Sequence, residues 1–348
     1  MNEKTKLSQF FPSIRAKELI LDEITSNKSL SSTFNKWNDK QQQEFLNICS
    51  GNKGVKMLYD SYFKEILSPE YAPERLSDFL SVLLNQKVTV KAVLPNDNTR
   101  LGDEMSLVIT DIVVEMEDKT IANIEVQKIG YAFTGQRAAC YSADLLLRQY
   151  KRIRDERKKD FSYREIAPVF TIVLMEDSTI QFQEFKNTYV HSFTYTSDSG
   201  LKLTMPQSII FVSIDIFLEK LHNKGIKTKL DAWLTFLGCD EPEYIIKLIN
   251  KYPFFKPMYE DLYDMCLNTE RVMNMYSKEL AECDRNTVKY MIDELQEQID
   301  TANEIIAEKD SALAEKESTI ARLDSVIKTL EARIKQYESQ DHYARYDQ

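Results

Sequence analysis

The sequence predicts an α/β fold of the α+β kind: a mixed sheet flanked by helices, then a helical region, then a terminal coiled coil. Three observations carry this. Apolar and β-branched runs at 88–94, 107–115, 120–127 and 166–175 have the length and composition of strands. A helical pattern precedes the first run, and a long polar, basic one separates the third from the fourth. From Ile292 onward an aliphatic residue recurs every seventh position without a Gly or Pro to interrupt it.

Taken in order, residues 1–56 are polar with helical patches at Ile14–Ile24 and Gln41–Cys49; Phe34 and Trp37 are expected to dock them onto the core. A short helix starts near Asp60 and ends near Ser68-Pro69. A second begins at Pro73, where a missing N–H is harmless. Leu76, Phe79, Leu80 and Leu83 then follow at amphipathic spacing. Val88, Val90, Ala92 and Leu94 alternate as a first strand. The 107–115 and 120–127 runs are divided only by Glu117-Asp118-Lys119, so they read as a hairpin. The helix after them spans about Ala132 to Lys158. On it Arg137, Tyr141, Asp144 and Arg148 form one polar stripe, while Ala138, Leu145 and Leu146 are left to pack on the sheet. Ile166–Met175 is a buried strand. Tyr189–Thr196 and Leu201–Met205 are expected to pair as a hairpin around the Ser197–Gly200 turn, with Ile209–Ile214 as a further strand. From Asp215 to about Glu282 the pattern is helical, with Trp233, Phe236, Ile245, Ile246 and Ile249 as core.

In the tail, Ile292, Ile299, Ile306, Leu313, Ile320, Ile327 and Ile334 occupy a positions, and Leu295, Ala302, Lys309, Lys316, Leu323, Leu330 and Tyr337 occupy d positions. Ile at a with Leu at d favours a parallel dimer, so a homo-oligomer through this coiled coil is expected. The tail folding back on its own domain is the alternative.

Composition excludes several classes. Apolar content of 43%, with 18 Tyr and 17 Phe, supports a packed core and argues against disorder. No apolar run reaches the ~18 residues of a membrane span, and no apolar segment follows the first residues as in a secretory signal. Five scattered cysteines without CxxC spacing read as buried free thiols of a cytoplasmic protein rather than disulfides or zinc ligands. His191, His222 and His342 have no ligand-spaced partners, which disfavours a zinc enzyme or a Ser-His-Asp hydrolase. The net charge of −10 is unevenly spread: Lys128–Arg164 holds ten Lys/Arg against four Asp/Glu, and the tail from Arg285 holds nine against fourteen. A basic helix with the acid placed elsewhere suits a phosphate-backbone binder, with Arg148, Lys151, Arg152 and Arg154 as DNA contacts. A solvated helix face is the bland alternative.

The chemistry concentrates in the hairpin. Asp111 interrupts the first run, and Glu125 and Gln127 lie two apart in the second, hence on one face. Buried carboxylates need a partner, and acids offered from neighbouring strands are a usual way to hold a hard divalent cation.

An Asp, then Ile124-Glu125-Val126-Gln127 on the next strand, then a helix bearing Arg137 and Tyr141 resembles the PD-(D/E)XK nuclease superfamily, and within it the recombination-promoting nuclease/transposase group. The matching residues run from about Asp60-Ser61-Tyr62-Phe63-Lys64 to Tyr252-Pro253-Phe254-Phe255. Thr110-Asp111 stands where the superfamily has Pro-Asp, and Gln127 where it has Lys; the transposase branch commonly carries Gln there. The resemblance implies a restriction-endonuclease-like αβββαβ core and a metal-dependent DNA endonuclease. Asp111, Glu125 and the carbonyl of Val126 would hold Mg²⁺ (or Mn²⁺), with Gln127, Arg137 and Tyr141 completing the catalytic set. The helix before the first strand often supplies another acid in this superfamily, which makes Glu74 a candidate; an acid in a first helical turn is also favoured by the helix dipole. The expected partition is an N-terminal helical extension (1–56), a nuclease-like core (57–215), a helical subdomain (216–284) and the coiled coil (285–340). Two other functions stay open: a catalytically weakened DNA-binding descendant, and a coiled-coil interaction protein whose carboxylates only satisfy structure.

Overall fold

The alternating run that ends at Gln127 becomes a central strand of a six-stranded sheet. The computed structural model describes residues 5–94, 112–128 and 134–344. The N-terminal stretch forms α1 (Lys17–Ser26), α2 (Lys28–Phe34) and α3 (Asp39–Cys49), followed by α4 (Asp60–Ile66) and α5 (Pro73–Leu83). Side chains set these starts. Asn27 accepts from the backbone N–H of Ser29 and Leu30, Asn38 and Gln41 form a reciprocal cap on α3, and Pro73 sits in the first turn of α5. Then come β1 (Val90–Val93), β2 (Ile112–Met116), β3 (Ile121–Gln127), α6 (Thr134–Arg157) and β4 (Val169–Met175). Helix, three strands, helix, strand is the expected αβββαβ order.

Beyond it lie α7 (Ile180–Gln183), β5 (Val190–Phe193), β6 (Gln207–Ser213), α8 (Ile214–Lys224), α9 (Lys229–Gly238), α10 (Pro242–Lys251), α11 (Lys256–Met265) and α12 (Thr269–Ala344). The strands are ordered β1-β2-β3-β4-β6-β5. β2 runs antiparallel to both β1 and β3, β3, β4 and β6 are mutually parallel, and β5 closes the far edge antiparallel to β6. The β2–β3 turn is tight. Lys119 adopts φ 69°, and Asp118 Oδ1 accepts from Thr120 N at 2.9 Å.

The hairpin expected between Tyr189–Thr196 and Leu201–Met205 does not form. β5 pairs with β6 instead, Val190 opposite Val212 and Phe193 opposite Ile209. Leu201, Leu203 and Met205 are exposed. The reason is burial. β6 hydrogen-bonds β4 as well as β5 and sends Ile210 and Val212 into the core, whereas residues 201–205 would gain one edge only. β1 is shorter than its alternation suggested: a bulge between Val90 and Ala92 breaks the register, and of its four residues Val90 alone is buried.

The sheet has two unlike faces. Ala122 and Ile124 of β3, Ile172 and Leu174 of β4, and Ile210 and Val212 of β6 enter a large apolar core shared with the N-terminal and C-terminal helices. The opposite face lies under α6. There Leu145 meets Val113, Ile121 and Val169, while Ala138 meets Val173, Met175 and Phe211. The buried residues of α6 are Thr134, Ala138, Ser142, Asp144, Leu145, Gln149 and Ile153, a helical period read from the structure.

The chain divides into two compact units, Met1–Tyr290 and Met291–Gln348. Within the first, Phe34 and Trp37 dock the N-terminal helices as expected, with Trp37 4.9 Å from Tyr276 of α12. Within the second, the described side chains are exposed, among them Ile292, Ile299, Ile306, Leu313, Ile320, Ile327 and Ile334 at 51–59%. None of the five cysteines is in a disulfide. Cys49, Cys239 and Cys266 are buried, burial pushing the Cys239 thiol up to about 12, but Cys140 is exposed, contrary to the expectation of uniformly buried thiols. No helix among the described residues is long and apolar enough to cross a membrane.

Candidate active site

The site is built from β3 upward. Side chains alternate along it, so Ala122, Ile124 and Val126 face the large core, while Ile121, Asn123, Glu125 and Gln127 face α6. Glu125 and Gln127 are each only 5% exposed. Asn123, fully buried, donates from Nδ2 to Glu125 Oε1 at 3.1 Å. Across the parallel ladder Asn123 lies beside Thr171, Glu125 beside Val173 and Gln127 beside Met175. The polar group therefore sits in a seam whose neighbours are largely apolar. Both atoms of the Gln127 amide, Asn123 Oδ1 and Thr171 Oγ1 are buried and lack a hydrogen-bond partner among the described residues. A buried amide with neither end satisfied is costly in a finished core and informative in a site.

α6 runs across this seam with its first turns at the Gln127 end. Ala138 packs on Val173 and Met175, and Met175 is the register partner of Gln127. Arg137 and Tyr141, both half-buried, lie on those same turns. Leu145 packs at the other end of β3, against Ile121 and Val169. The basic end of the helix continues past it. Arg152 reaches within 3.8 Å of Glu115 on β2, Lys151 is exposed, and Arg154 donates to the Tyr150 hydroxyl at 2.8 Å. The polar stripe is only partly exposed. Asp144 is buried and pairs with Arg148 at 2.7 Å, which keeps Arg148 close to the helix surface. Arg137 and Arg148 are eleven residues apart in sequence, about 16 Å along the axis, so the catalytic and DNA-contact candidates occupy opposite ends of α6.

Asp111 lies outside the described residues; it immediately precedes Ile112, which pairs with Ile124. Among the described residues no group of three His, Cys, Asp or Glu side chains forms a metal cluster. Val126 turns its side chain to the large core. Glu74 is exposed in the first turn of α5, a helix that packs on β1 and α9.

Lys128 follows Gln127 directly and is the nearest lysine in sequence to the position where Glu-x-Lys sites carry one. It does not fill that role. Lys128 is 8% exposed, forms an ion pair with Glu279 of α12, and lies 4.5 Å from the Tyr59 ring centroid. Glu279 also accepts from Ser61 N at 3.1 Å, at the start of α4. Next to this pair, Glu176 donates its backbone N–H to the Gln127 carbonyl at 2.7 Å and sits 3.7 Å from Lys56. Burial pushes the Glu176 carboxyl up, against the pull of Lys56 and Lys128. Sequence reasoning missed Asn123, although it shares the alternation of Glu125 and Gln127. It also missed Glu279, for which no local signal exists.

A mixed sheet in this order, with an acid and an amide on its third strand beneath the crossover helix, defines a restriction-endonuclease-like protein. The chain belongs to the PD-(D/E)XK nuclease family transposases, whose family model matches residues 57–302. No curated protein and no solved structure matches it. Membership points to a nuclease with DNA as its substrate, and nucleases of this superfamily generally use divalent metals.

Proposed function

We propose that the protein is a metal-dependent DNA endonuclease of mobile-element type, with Asp111 and Glu125 holding Mg²⁺ (or Mn²⁺). The observation that carries this is the buried pair Glu125 and Gln127 on one face of β3, the amide of Gln127 having no described partner. The donors fit such an ion: the carboxylates of Asp111 and Glu125 and the Val126 carbonyl are hard oxygen ligands. When bound, the cation polarises a phosphoryl oxygen and lowers the pKa of water. The chain's own residues do the rest. Asn123 fixes the Glu125 carboxylate, Gln127 orients water or phosphate by hydrogen bonds without adding charge, Arg137 faces the scissile phosphate, and Tyr141 positions it. Arg148, Lys151, Arg152 and Arg154 hold the flanking backbone. In this reading the catalytic core is residues 57–215, flanked by the 1–56 extension and the 216–284 subdomain, with a parallel dimer formed by the 285–340 heptads in the cytoplasm.

A plasmid-nicking assay tests the first part. Cleavage is expected with Mg²⁺ or Mn²⁺ and lost in Asp111→Ala and Glu125→Ala; cleavage that persists in EDTA defeats the reading. Sedimentation tests the second: truncation after about Asp284 is expected to turn a dimer into a monomer. One alternative has an observation behind it. Gln127 is uncharged and Lys128 is committed to Glu279, which favours a DNA-binding descendant with weakened catalysis. Binding without cleavage would select it.

A further inference from the structure

The far end of α6 carries a second arrangement that the strand site does not use. Tyr150 of α6 and Tyr163, in the 3-10 turn Tyr163–Glu165, hold their rings 14° from parallel with centroids 6.1 Å apart. Phe161 stands edge-on to both, 5.3 Å and 89° from Tyr150, 5.0 Å and 78° from Tyr163. Such edge-to-face contacts fix ring planes. Arg157 Nε pairs with Glu165 Oε2 at 3.0 Å and ties the turn back to the helix. Yet Tyr163 is 74% exposed, so a large aromatic surface is oriented and then left in water. Around it the charge is positive. Between Lys151 and Arg164 there are seven Lys/Arg against three Asp/Glu, and Lys158, Lys159 and Arg164 are exposed.

We propose that this three-ring platform binds an unpaired DNA base, which stacks on Tyr163 while the neighbouring cations hold its flanking phosphates. Every base has a π-face, so stacking is tolerant of sequence, but bases inside a closed duplex already stack on one another and offer no free face. The occupant is therefore a single strand, a flap or a frayed end. The inference rests on the proposal that DNA is the substrate and deepens it. Arg137 and Arg154 are seventeen residues apart on α6, about 25 Å, or roughly seven steps at the 3.4 Å spacing of a DNA strand. An unpaired end on the platform would thus place the backbone about seven nucleotides away at the strand site.

The test is binding by full-length protein in EDTA, so that cleavage plays no part. A labelled oligothymidine single strand is compared with a dumbbell duplex closed at both ends. Tyr163→Ala and Tyr163→Leu are expected to weaken single-strand binding by about 5- to 100-fold and to leave the dumbbell unchanged. Tyr163→Trp should retain both. The slope of log K against log salt should stay the same in Tyr163→Ala and fall by about 0.7 per contact on the single strand in Lys158→Gln. Wild-type single-strand affinity in Tyr163→Leu, or equal losses on both probes in Tyr163→Ala, overturns the platform while dumbbell binding keeps the DNA reading alive. Failure of the wild-type protein to bind either probe overturns both.

Discussion

The two faces of β3 are built from one strand of seven residues and do opposite things. On one side Ala122 and Ile124 are 0% exposed in a core lined by Phe and Tyr rings. On the other, Asn123, Glu125 and Gln127 are also buried but polar, and Asn123 Oδ1 and both atoms of the Gln127 amide lack a partner among the described residues. Burial alone does not tell a core from a site. The difference lies in whether the buried atoms are satisfied, because an apolar group loses nothing when sealed and an amide loses its hydrogen bonds with water.

That contrast can be broken on either side. Replacing Glu125 by Gln keeps its shape and removes its charge. It is expected to cut cleavage by about a thousandfold or more, with little change in thermal midpoint. The Lys128–Glu279 pair lies just past the end of β3. Lys128→Ala leaves a carboxylate buried at 2% exposure without its cation and is expected to cost about 3–5 kcal/mol in urea unfolding. Adding Glu279→Leu to Lys128→Met should recover most of that loss, since the pair offsets its own desolvation rather than adding net stability. Ile124→Ala, on the apolar side, should cost about 2–5 kcal/mol and leave the metal dependence of cleavage in the surviving folded protein untouched. If instead Glu125→Gln lowers stability as much as Ile124→Ala, the acid is structural.

A smaller effect sharpens the same point at a polar group that is fully satisfied. Asp231 is 0% exposed; burial opposes its charge, but N–H donors of Thr228 and Lys227, the Tyr189 hydroxyl and Lys220 outweigh it and lower the carboxyl's pKa. A lowered folded value means stability that is present above the unfolded pKa of about 3.9 and lost as pH falls through the folded one. Asp231→Asn should therefore cost about 1.5–3 kcal/mol at neutral pH and flatten the acid limb of the stability profile. An unchanged acid limb would show that the capping hydrogen bonds do not depend on the charge.

Particular residues show where legibility stopped. The period-two alternation of β3 and the helical spacing of α5 are local, so strand, helix and the shared face of Glu125 and Gln127 could be read directly. The helix expected over about Ala132 to Lys158 is described from Thr134 to Arg157, and the αβββαβ order followed from the succession of patterns. The buried stripe of α6 was harder, because Ser142, Asp144 and Gln149 are polar residues kept inside by specific partners. Asp144 pairs with Arg148, Gln149 bonds the Ala167 backbone through both ends of its amide, and Ser142 accepts from Gln207.

The sequence by itself determined the αβββαβ succession, the acid-amide spacing on β3, the basic end of α6 and the heptads of the tail, all of which are properties of residues within a turn or two of each other. Tertiary structure alone decided that β5 pairs with β6 and that the acid face lies beneath α6. It also committed Lys128 to Glu279, 151 residues away along the chain. The physical reason is the same in each case. Periodicity sets which side chains share a face, but which face is sealed, and by what, depends on the free energy of burying groups that meet only after the chain has closed.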